Sequence, residues 1–148
     1  MKGVPLHIKV LMAVLISLLI VSINNTFANR DGYDSLISEK EFEQFSKDVE
    51  IGLTQLDLLV KEPPLPYSGV DEIKRIARDK KLDYINFKSE NKLAVEIAAI
   101  MASGFSMLER SLNEYKKNTG DAKFDYNESL KSFNKVLRIL NKIHNNVV

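Results

Sequence analysis

Wherever apolar residues are dense in this chain they recur at steps of three and four, and nowhere do they alternate long enough to make a strand. Phe42, Phe45, Val49, Leu53, Leu56 and Val60 mark one face of a helix predicted over 38–61. Ser38 followed three residues later by Glu41 is the signature of a reciprocal capping box, and Ile37 and Phe42 stand where a hydrophobic staple closes. Glu43/Lys47 and Asp57/Lys61 add favourable four-apart pairs on the outside. Gly52 falls near the apolar stripe, where a missing side chain admits a neighbouring helix. Glu62-Pro63-Pro64-Leu65-Pro66 then stops the helix, because proline removes a backbone donor and clashes with the preceding turn. Its Pro-x-x-Pro spacing reads as a stiff strap between helices rather than a docking motif.

A short helix is predicted over 70–81, with Val70, Ile73, Ile76 and Ala77 inward. The run Tyr84, Ile85, Phe87 is too apolar for a solvated loop. It is either a turn packed on the core or an early start to the next helix. The pattern over 89–117 predicts the central helix: small Ala94, Ala98, Ala102 and Ser106 lie beside bulky Leu93, Ile97, Met101 and Phe105. Lys92, Glu96, Ser103 and Arg110 occupy its wetter side, and Gly120 stands in the usual stopping position. A last helix over 123–146 carries the heptad Tyr126, Leu130, Phe133, Leu137, Leu140, His144, Val147, widened by Val136, Ile139 and Ile143. The expected fold is all-α: an up-and-down bundle of three long helices and one short one, forming a single domain over 38–148.

What precedes that domain changes the picture from fold to address. Lys2 and Lys9 form a positive start, the apolar run 10–23 follows, and Thr26-Phe27-Ala28 supplies small residues where a signal peptidase reads. Residues 1–28 therefore read as a secretory signal cut between Ala28 and Asn29, with 29–37 as a flexible lead-in. The run is 14 residues long and carries Ser17 and Ser22, whereas a comfortable span takes about 20 apolar residues. An uncleaved membrane anchor is the alternative.

The chain has no cysteine, which removes thiolate nucleophiles, zinc–thiolate and iron–sulfur sites, covalent haem and a lipid-modified cysteine. A small exported domain without disulfides points to a bacterial periplasm or cell surface. In that compartment the sequon Asn127-Glu128-Ser129 carries no meaning. Beyond residue 28 the chain holds 19 basic and 20 acidic side chains, so no overall field draws in nucleic acid. Recognition by charge must come from local segregation. Residues 31–62 hold nine acidic and three basic side chains, while Lys131, Lys135, Arg138 and Lys142 form one stripe with no acid among them.

Candidate chemistry is otherwise sparse. Beyond residue 28, His144 is the one histidine; in a bundle it invites comparison with an axial ligand for haem or a metal. An exported bundle with a histidine late in its last helix resembles cytochrome b562-type proteins, which pair it with a methionine early in the first helix. This first helix has no methionine, and Met101 and Met107 lie mid-way along the third. Carboxylate metal sites of bundles use paired Glu-x-x-His motifs, and none is present. There is no Gly-x-Ser-x-Gly, and Gly69, Gly104 and Gly120 are too isolated for a phosphate loop. The expectation is a non-enzymatic exported binding or adaptor domain without a cofactor, a haem- or metal-binding bundle centred on His144 being the alternative. Its expected partner is a protein or an anionic envelope component, and the membrane only if the N-terminal segment stays uncleaved.

Overall fold

The computed structural model describes residues 37–60, 67–117 and 122–147. The expected signal segment with its Ala28–Asn29 boundary, the expected lead-in up to residue 36, the Pro63–Pro66 segment read as a strap, and Gly120 lie outside the described residues. Four helices account for almost all of what is described: α1 (Glu39–Leu59), α2 (Tyr67–Ile85), α3 (Lys92–Lys117) and α4 (Ala122–Val147). Among the described residues there is no strand, and no helix is long and apolar enough to cross a membrane.

α1 starts as its sequence dictates. Ser38 Oγ accepts from Glu41 N–H at 3.2 Å, and the Glu41 carboxylate accepts from Ser38 N–H at 3.1 Å. Ile37, assigned to the lead-in by its sequence context, is only 1% exposed and packs into the core with Phe42, as a staple requires. The helix ends at Leu59, where Val60 N–H turns back to Asp57 C=O at 3.2 Å.

The second helix corrects the sequence expectation. It is 19 residues long rather than the short 70–81 segment, and it takes in Leu82, Tyr84 and Ile85. Tyr84 alone of those three turns inward, at 3% exposure, while Leu82 and Ile85 face solvent. The helix closes with Asn86 N–H on Leu82 C=O, and Phe87 then packs on Phe45 and Tyr84 with ring centroids 5.4 and 6.2 Å away. α3 begins at Lys92, three residues later than its apolar pattern suggests, because Asn91 is its cap: Asn91 Oδ1 accepts from Ala94 N–H at 3.1 Å.

α3 is the central helix, packing most extensively against α2 and α4. Its contacts step in opposite chain senses with both neighbours. Tyr84 meets Phe105 while Arg78 meets Glu109, and Phe105 meets Phe133 while Arg110 meets Asp125. Phe42, Phe45, Leu56, Ile97, Met101, Phe105, Leu108, Leu112 and Phe133 are fully buried, each contributing roughly 1.5–3 kcal/mol of transfer free energy. The small row predicted along α3 holds only in part: Ala94 and Ala98 are buried, Ala102 is half-buried and Ser106 is exposed. The reason is geometric. A step of four residues overshoots one helical turn by about 40°, so the row winds away from the interior.

Candidate binding surface

Charged and polar groups divide into those the fold consumes and those it leaves free. Asp48 on α1 is 3% exposed and sits between two α2 donors: Tyr84 Oη at 2.6 Å and Lys80 Nζ at 3.0 Å. Burial pushes the Tyr84 phenol well above its usual pKa, and the neighbouring Asp48 charge adds to the shift. Tyr84 therefore stays protonated and donates to Asp48. The pair acts as a clamp between α1 and α2.

Glu109 on α3 receives Arg78 Nε at 3.0 Å and Lys81 Nζ from α2. Burial by itself raises the Glu109 carboxyl. Hydrogen bonds and charge from Lys81 and Arg78 outweigh it and hold the group below the usual glutamate range. Arg110 on α3 faces fully buried Asp125 on α4, with Nε 2.9 Å from Oδ2 and Nη2 2.8 Å from Oδ1. Ser129 Oγ donates to Gly104 C=O at 2.7 Å across the same pair of helices. Arg75 is engaged by Glu72 and Asp79, so four of the five α2 cations are ion-paired.

The outer face of α4 is different. Lys131, Lys135, Arg138 and Lys142 are all exposed, as their spacing predicts. Lys131 lies 4.0 Å from Glu128, and the other three make no ion pair among the described residues. Glu128 is also the last acidic residue of the chain, so nothing on the rest of α4 offsets them. Beside the stripe runs a shallow groove between α3 and α4. Ala99 and Ile100 contribute apolar surface, Ser103 and Ser132 contribute hydroxyls, and Lys131 and Lys135 stand at its edge together with the Glu128 carboxylate.

Another concavity lies where α1, the 86–91 link and the start of α3 meet. Its polar groups serve the caps: Glu41 takes Ser38 N–H and, at 2.7 Å, the Ser89 hydroxyl. Burial raises the Glu41 carboxyl, but the hydrogen bonds from Ser89 and Ser38 bring it below the usual range.

His144 is half-buried in the last turn of α4, where a histidine also complements the helix dipole. Among the described residues no three His, Cys, Asp or Glu side chains converge as a metal site would need. Met101, by contrast, is fully buried as core. The Asp48–Tyr84 and Arg110–Asp125 pairs went unseen in the sequence. An acid beside the apolar positions Phe45 and Val49 was the one signal for the first. Comparison with protein-family models, curated proteins and solved structures returns no match.

Proposed function

We propose that this chain is an exported, non-enzymatic binding domain of the bacterial cell envelope. It is an up-and-down bundle that recognises an anionic partner, protein or polymer, through the outer face of α4. One observation carries the reading: the fold pairs most α2 cations with acids, yet among the described residues leaves Lys135, Arg138 and Lys142 without one, on the stretch of α4 after Glu128 that holds no acid. Exposed like charges in a row repel one another, and an anionic partner relieves that repulsion. The positive start, the apolar run 10–23 and Thr26-Phe27-Ala28 support export, with the mature chain beginning at Asn29.

Sedimentation of the protein with isolated bacterial envelopes at increasing salt tests the reading. Binding at low salt and release as salt rises is expected, because exposed charges are screened beyond about 10 Å at 0.1 M. Binding indifferent to salt overturns it.

A further inference from the structure

We propose that the partner of α4 is a linear polyanion of the phosphodiester kind, laid lengthwise along the helix; this rests on the reading of α4 as the binding surface. The four cations follow steps of four, three and four. At about 1.5 Å rise per residue they stand roughly 4.5–6 Å apart along the axis and span about 16 Å. They form a line of four exposed side chains on the outer face of the helix. A compact anion reaches one or two members of such a line, in open water where each contact is weak. A chain with a charge repeating at a similar interval meets all four, and each further contact is intramolecular once the first has formed.

The flank of the stripe suits such a chain. Ser103 and Ser132 offer hydroxyl donors to phosphate oxygens, Ala99 and Ile100 offer apolar surface to the carbon linkers between them, and the Glu128 carboxylate on the same flank lies 4.0 Å from Lys131. Two other anionic surfaces fit less well. An anionic membrane attracts such cations at only about 1 kcal/mol each, and among the described residues the exposed large apolar side chains that could anchor it further, Leu82, Ile85 and Val95, belong to α2 and α3. An acidic protein face binds chiefly through buried aromatic or aliphatic anchors, and the stripe positions on α4 present none.

Titration calorimetry of the full chain tests this with a defined series of probes: inorganic phosphate, oligo(glycerol phosphate) as monomer, tetramer and octamer, oligoglutamate of matching charge, and anionic phospholipid vesicles. Affinity for the phosphodiester should rise at least about tenfold from monomer to tetramer and then level off. The tetramer should show a log–log salt slope of about −3, the value a single-stranded nucleic acid shows for four neutralised phosphates. Lys135→Gln with Arg138→Gln should weaken tetramer binding several-fold, whereas Lys47→Gln, an exposed cation on α1, should not. Equal affinity for phosphate and tetramer overturns the proposal, as does tighter binding of oligoglutamate or vesicles. If no phosphodiester binds while salt-sensitive envelope binding persists, the polymer assignment fails and the α4 surface stands. If envelope binding is also absent, both fail.

Discussion

The ring of Phe133 on α4 rests directly on the backbone of Gly52 on α1, so closely that a Cβ at Gly52 would stand 2.5 Å from Cζ. Gly104 of α3 meets the same ring, with a Cβ there falling 2.9 Å from Cε1. Two helices thus lend bare backbone to one aromatic side chain. The ring has little room to retreat, since it is fully buried and set edge-on against Phe105 at 4.9 Å. Gly52→Ala should therefore cost about 1–3 kcal/mol through overpacking, partly offset by the better helix propensity of alanine. Gly104→Ala, with more clearance, should cost less. Urea denaturation of both variants measures this, and Phe133→Leu should recover part of the Gly52→Ala loss.

Tyr84→Phe should destabilise the bundle by about 1.5–3 kcal/mol. It keeps the ring that stacks on Phe105 at 6.3 Å but removes the hydroxyl donated to buried Asp48. A double-mutant cycle with Asp48→Ala isolates the pair from the Lys80 contact, and a coupling energy near zero would contradict the clamp.

The Glu109 carboxyl is held below its usual range once Lys81 and Arg78 have overcome the effect of burial. A carboxylate with a depressed folded pKa contributes stability that is present above its unfolded value, about 4.3, and lost as pH falls through the folded value. The protein should melt at progressively lower temperature below about pH 4.5. Glu109→Gln should flatten that acid limb while lowering stability at neutral pH. An unchanged acid limb in the variant would contradict the assignment.

Ala98 and Ser106 share one row in the sequence but not one environment, since Ala98 is 2% exposed and Ser106 faces solvent. Ala98→Leu should cost about 1–3 kcal/mol, whereas Ser106→Leu should change stability by less than about 0.5 kcal/mol. Thermal melts of the two variants distinguish the wound row from a straight one.

That row shows what the sequence makes legible. Local periodicity finds the helices, and the Ser38/Glu41 signature finds the start of α1, because both depend on neighbours within one turn. Four-residue spacing read as a straight line misplaces Ala102 and Ser106, since the error of about 40° per step accumulates. α2 ran past its expected end because Leu82 and Ile85 are exposed, so the apolar run gave no clean inward period there. Asn91, three residues ahead of Ala94, is a cap that the sequence makes legible and the apolar period alone does not. The clamp between Asp48 and Tyr84 joins residues 36 apart and depends on how α1 and α2 meet, which no local pattern encodes. The α4 stripe was legible because the Phe133, Leu137 and Leu140 seam fixes which side faces out, and the exposure of all four cations follows from it.

The central claim is that α4 carries a surface the fold does not need. Changing Lys131, Lys135, Arg138 and Lys142 together to Glu, then measuring helix content, melting temperature and envelope binding on the same sample, tests it most directly. None of the four pairs with α1, α2 or α3 among the described residues, so near-wild-type helix content and melting are expected, with binding lost. A variant that folds as wild type and binds envelopes equally well would contradict the account.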